Sequence, residues 1–138
     1  RRQRQMCIRD SRDTGAGEIG SIPYLDRDYE YYCSSRFFVG RGTTGKEAYE
    51  RAAAGDPEAL ALWREFGGHV GQLVMLVLYT YDPEAIVFGG SIAHAFGFFR
   101  EAMYEQLKRF PYAKTVEGLH ICCSNIDHVG LLGASACE

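Results

Sequence analysis

The chain has no apolar run long enough to cross a bilayer; its longest candidate, Leu73 to Tyr79, is a third of the roughly 20 residues a helical span needs. A bilayer is therefore not an expected partner. It has five cysteines but no disulfide-framework spacing, and this suggests a reducing cytoplasmic setting rather than a stapled secreted scaffold. An excess of positive charge is missing as well. The 138 residues carry 15 basic and 18 acidic side chains; residues 1–10 hold four arginines and one aspartate, so the rest has 11 against 17, net −6. That balance argues against direct nucleic-acid binding by residues 11–138. There is no internal repeat and no low-complexity linker. His69, His94, His120 and His128 have no ligand-like spacing and read as surface or helix-end histidines.

With 46% hydrophobic and 13% aromatic residues the chain can bury a core, and its length fits one domain or one lobe of a larger one. Helix and strand patterns alternate. Thr44-Gly45-Lys46-Glu47 has capping-box spacing and opens a helix to about Ala54, which Gly55 ends. Asp56-Pro57 then supplies an N-cap and a first-turn proline for a long helix to about Tyr81. Leu62, Phe66, Val70, Leu73, Val74 and Val77 recur along it at helical spacing and predict its buried face. Gly67, Gly68 and Gly71 each cost about 1 kcal/mol against alanine in a helix. Their presence points to close packing on a neighbour or to a bend. Ala93 to Phe110 reads as an amphipathic helix with Phe96, Phe99, Met103 and Leu107 inward, Leu119 to Ser124 as a strand, and Val129 to Ala136 as a terminal helix. The fold class from pattern alone is α/β.

Three places carry candidate chemistry. Ile86-Val87-Phe88-Gly89-Gly90-Ser91 reads as a buried strand entering a tight glycine turn and then a helix, a corner where a nucleotide can approach the backbone and a helix N-terminus. Such corners also arise from packing alone. Glu18 lies in the glycine-rich, apolar stretch from Gly15 to Pro23. Glu30 opens a short helix in Tyr29-Glu30-Tyr31-Tyr32, running towards Phe37 and Phe38. A carboxylate among aromatic rings suits a polyol, accepting charge-assisted hydrogen bonds from hydroxyls while the rings cover C–H faces. A capping or surface role is the plain alternative for each. Asp13-Thr14-Gly15 matches the short aspartic-protease signature, but it lacks a preceding apolar strand and a second copy.

In order and spacing, Gly17-Glu18-Ile19-Gly20, Tyr29-Glu30-Tyr31-Tyr32, Gly55-Asp56, Asp82 to Gly90 and Gly130 to Ala136 together resemble the C-terminal half of the ROK family of sugar kinases and sugar-responsive repressors. The resemblance implies an actin-like, ribonuclease-H-like fold in two lobes, of which residues 12–138 would be the C-terminal lobe and sugar-contact segment. It implies ATP and Mg2+ as cofactors and transfer of the γ-phosphoryl group to a hexose or amino sugar. Glu18, Ser21 and Glu30 would be substrate-binding residues. Gly89, Gly90 and Ser91 would take the adenosine. The base aspartate is expected in an N-terminal half, so residues 12–138 alone are expected to be inactive. A homo-oligomer in the cytoplasm is the expected state of the complete protein.

Two departures bear on metal. Ser21 stands where the family usually has a histidine, and the Leu25 to Tyr29 stretch is short and lacks the family's cysteine-rich zinc loop. Four nitrogen or sulfur ligands for tetrahedral zinc cannot be assembled, so no zinc is expected. The rival reading is a ROK repressor with an N-terminal winged helix; a third is a ROK-like protein whose activity is lost with the histidine. Finally, Arg1 to Asp10 resembles a translated transposase-type sequencing adaptor, with Ser11 straddling the join. The alternative for these residues is a basic arm for nucleic acid or a membrane surface.

Overall fold

The structure is a computed structural model that describes residues 18–124. The aspartic-protease-like triplet, His128, the helix expected at Val129 to Ala136 and the adaptor-like segment lie outside those residues. A two-residue antiparallel hairpin begins the fold, β1 (Pro23–Tyr24) and β2 (Arg27–Asp28), with Pro23 opposite Asp28 and Tyr24 opposite Arg27. Two single helical turns come next, α1 (Tyr29–Tyr32) and α2 (Arg36–Val39), in place of the one continuous short helix expected.

Helix α3 (Gly45–Ala53) starts where the capping box predicts, with the Thr44 side chain accepting from the Glu47 amide at 3.1 Å. The reciprocal half of the box is replaced: Thr43 Oγ1 donates to the Glu47 carboxylate at 2.6 Å. Helix α4 (Pro57–Tyr81) has Asp56 as N-cap, accepting from the Glu58 amide at 3.0 Å, and is braced by an Arg51 Nε–Asp56 contact of 2.7 Å. It stops because Asp82 turns left-handed at φ 49° and Pro83 cannot continue a helix. Strand β3 (Ala85–Phe88) then runs parallel to β4 (His120–Cys123), joined through α5 (Phe96–Leu107) and the short α6 (Ala113–Glu117), which the sequence pattern did not announce. A parallel pair linked through helices is the α/β organisation expected.

The core lies between α4 and α5, with α2 and α3 closing one end. Phe37, Phe38, Trp63, Phe66 and Phe99 are buried and their rings meet one another, Phe38 and Trp63 at 4.4 Å between centroids and Phe66 and Phe99 at 5.2 Å. The buried face of α4 is rotated from the expected one. Trp63, Gly67, Gly71 and Leu78 join Phe66, Val70 and Val74 inside, whereas Leu62, Leu73 and Val77 are half-buried. The two glycines cause this. A Cβ on Gly71 would lie 2.9 Å from the Met103 carbonyl, and one on Gly67 would strike the Phe99 carbonyl, so α5 approaches the backbone of α4 along that line.

One further expectation needs correction. The strand before the glycine pair is not fully buried: Val87 is 43% exposed, because β4 is the neighbour on one side and α5 covers one face, through Phe88 against Phe96 and Phe99. No described helix is long and apolar enough to cross a membrane.

Candidate functional site

Glu30 owes its place to the cap of α1. The Asp28 carboxylate accepts from the Tyr31 amide at 2.9 Å, which sets the turn and leaves Glu30 on its outer side. Its side chain is 60% exposed, with the Arg36 guanidinium 3.9 Å away. The segment Glu18 to Ser21 lies against the same turn. A Cβ on Gly20 would sit 3.4 Å from Glu30 Cβ, and the Tyr29 amide donates to the Ile22 carbonyl at 3.2 Å. Ile19–Ser21 forms one 3-10 turn, closed by the Ser21 amide on the Glu18 carbonyl at 3.0 Å. The Glu18 segment, Ser21 and Glu30 are therefore exposed and lie about the same turn.

The glycine turn is a second place. Gly89, Gly90 and Ser91 are exposed, and Gly90 has φ 77° and ψ −168°, a conformation open to glycine alone. A Cβ there would touch nothing within 4 Å, so glycine is required by the backbone and the space in front of the turn is open. The turn does not lead directly into the expected α-helix N-terminus. Ser91–Ala95 is a 3-10 turn whose Ala93 amide donates to Gly90 at 3.2 Å, and α5 starts only at Phe96. Gly97 in its first turn weakens helix formation there. A helix-dipole contribution at this turn is correspondingly small.

Beside the turn is a cavity of about 300 Å³. Ser91 and His94 form one wall, Gly45, Lys46 and Tyr49 from the start of α3 the other, and Trp63 lines it from α4. The Trp63 indole N–H is buried and has no hydrogen-bond partner. Ser35, five residues beyond Glu30, also lines this cavity. A larger, more open groove of about 800 Å³ runs between Arg64 on α4 and Arg100, Glu101 and Glu105 on α5, and holds none of the expected residues.

Sequence spacing makes His69 an ordinary surface or helix-end histidine, and the structure corrects that. It sits mid-way along α4 under the hairpin, with Nδ1 2.8 Å from the Tyr24 hydroxyl. The rings of Tyr32 and Phe37 lie 4.7 and 5.6 Å from its own. Its Nε2 is buried, 3.6 Å from Glu65, too far for a hydrogen bond. Burial pulls its pKa below the usual 6.5, outweighing Glu65. Burial likewise pushes Tyr24 up to about 12 and the Cys33 thiol up to about 12. The hydrogen bond that Tyr32 donates holds the Asp26 carboxyl below its usual range. The signal for His69 was present: Phe66, His69, Val70 and Leu73 share one helical stripe. No group of three or more His, Cys, Asp or Glu side chains among the described residues converges as a metal site.

The ROK family model matches residues 24–137. The chain belongs to the ROK family. Among solved structures it is similar to a ROK family transcriptional regulator described as a homolog of the E. coli MLC protein, at 18% identity and a TM-score of 0.63. That likeness covers 70% of this chain and 29% of the regulator, and it speaks to the fold. Comparison with curated protein sequences finds no match. For this ROK chain, the family match and the mixed helix and strand architecture agree on an α/β fold.

Proposed function

We propose that this chain is part of an ATP-dependent hexose kinase of the ROK family and forms the C-terminal lobe of its actin-like fold. The observation that carries the reading is the open Gly90 turn beside the cavity lined by Trp63 and Tyr49. Aromatic walls, a buried indole N–H lacking an acceptor and a backbone that a ligand can approach suit an adenosine, and the volume is at the low end of small-molecule sites. Gly89, Gly90 and Ser91 would hold it. Bound ATP supplies the phosphoryl group, and Mg2+ neutralises its charge. Glu18, Ser21 and Glu30 hold the hexose or amino sugar, with the carboxylates accepting from its hydroxyls. These residues lower the barrier by positioning. The base aspartate comes from the N-terminal half, so this chain alone transfers no phosphate; measurable sugar phosphorylation by it overturns that division of labour. The complete protein is cytoplasmic and homo-oligomeric in this reading.

The test uses the chain's single tryptophan. Titrating ADP should change Trp63 emission saturably, and Gly90→Val should abolish the change by closing the turn. An emission that ignores ADP at millimolar concentration removes the nucleotide reading. The likeness to a ROK transcriptional regulator favours one alternative, a sugar-sensing repressor. Hexose binding without any ADP response supports that repressor. Absence of both points to a ROK-like protein whose activity went with the residue replaced at Ser21.

A further inference from the structure

The face bearing Glu18, Ser21 and Glu30 has little means of holding itself in place. Strands β1 and β2 have two residues each and α1 a single turn, and isolated elements of this size do not persist in water. Their order has to come from the body of the protein, and one residue of α4 meets both. The Nδ1 of the His69 ring lies 2.8 Å from the Tyr24 hydroxyl of β1, while its main-chain carbonyl accepts from Cys33 Sγ, just after α1, at 3.4 Å. Tyr24 in turn stacks on Tyr29, the neighbour of Glu30, at 4.4 Å between centroids. Tyr32 closes the assembly by donating to Asp26 in the hairpin turn while its ring lies on His69.

We propose that His69, acting through the Tyr24 hydroxyl, is the positioning residue for the carboxylate face, holding the hairpin and α1 so that Glu30 and the Glu18 segment face the substrate together. The clause about substrate rests on the sugar reading above; the anchoring does not. In this proposal the neutral imidazole carries its proton on Nε2, the nitrogen towards Glu65, and accepts the Tyr24 hydroxyl at Nδ1. The groups around it suit that state. Tyr24 stays protonated, and the phenol of Tyr32 and the thiol of Cys33 bring no charge. Arg41, whose guanidinium lies 3.9 Å over the Phe37 ring, opposes a positive imidazole, leaving Glu65 as the group that favours one.

The experiment compares the 138-residue chain with its Tyr24→Phe, His69→Leu and His69→Asn variants by amide hydrogen exchange, with α3 as an internal reference, and titrates each with glucose and N-acetylglucosamine. Tyr24→Phe and His69→Leu should speed exchange of residues 29–33 by about three- to tenfold, the worth of one such bond, with α3 unchanged. His69→Asn, which keeps an acceptor where Nδ1 was, should recover part of the protection. Sugar affinity should fall in the same order. Unchanged exchange at 29–33, an equal rise in α3, or an Asn variant no better than Leu overturns the anchoring. A wild-type chain that binds neither sugar but shows the exchange pattern supports the anchor and removes the sugar reading instead.

Discussion

Replacing Gly67 and its neighbour Gly68 by alanine should move stability in opposite directions. In a helix either substitution gains about 1 kcal/mol from propensity. At Gly68 the nearest atom to a new Cβ is Gln106 Nε2 at 3.8 Å, an ordinary contact, so the gain is kept in full. At Gly67 the Cβ would overlap the Phe99 carbonyl and come within 3.0 Å of Ala102 Cβ and 3.1 Å of Phe99 Cβ. Two of those atoms belong to a residue that also packs Trp63, Phe66 and Phe96, and a main-chain carbonyl cannot rotate away. Relief requires α5 to retreat on the order of 1 Å, and overpacking of this kind costs about 1–3 kcal/mol. The net change for Gly67→Ala is then a loss of up to about 2 kcal/mol, and the two variants should differ by about 1–3 kcal/mol, the overpacking cost itself. Urea denaturation followed by Trp63 emission measures this directly, with an unchanged slope showing that two-state unfolding is preserved. Equal stability of the two variants, or a more stable Gly67→Ala, refutes the claim that this glycine sets the α4–α5 distance.

Thr44→Ala removes the side-chain cap of α3 and should cost about 1 kcal/mol in the same urea assay. Gly90→Ala meets no neighbour, so its penalty is backbone strain alone, of order 1–3 kcal/mol, and thermal denaturation should show it with ADP affinity reduced in parallel. Because the pKa of His69 is depressed in the folded chain, the unfolded chain takes up the proton first on acidification. Its contribution is complete above about pH 7 and declines as pH falls from 6.5 towards the folded value; His69→Leu should flatten that part of a stability–pH curve. Cys33, its thiol raised to about 12 by burial, should alkylate at pH 8 at least about tenfold more slowly in the native chain than in urea, as followed by mass spectrometry.

Much of the fold was legible because its signals are local. The ends of α4 follow from Asp56-Pro57 and Asp82-Pro83, the start of α3 from Thr44, and β3 from a β-branched and aromatic run before two glycines. The hairpin at Pro23 to Asp28 was not legible, since two-residue strands have no period to detect and Leu25 takes a left-handed φ of 54° without a glycine to announce it. The 3-10 turn after Gly90 was missed for a related reason: an apolar stretch this short does not separate three residues per turn from 3.6.

The family resemblance and the residue types at Glu18, Glu30 and the glycine turn were present in the linear chain, and so was the helical stripe on which His69 lies. What the linear chain could not decide is which side of that helix faces in and which histidine meets which tyrosine. Leu62, Leu73 and Val77 are as apolar as the residues that displaced them. The choice fell to Gly67 and Gly71 because their missing side chains let a second helix come closest along that line. Tyr24 and His69 are 45 residues apart and become partners only when α4 passes beneath the hairpin. Local sequence determines elements and their ends; the closest approach of backbones, a property of the assembled chain, determines the faces and the pairs.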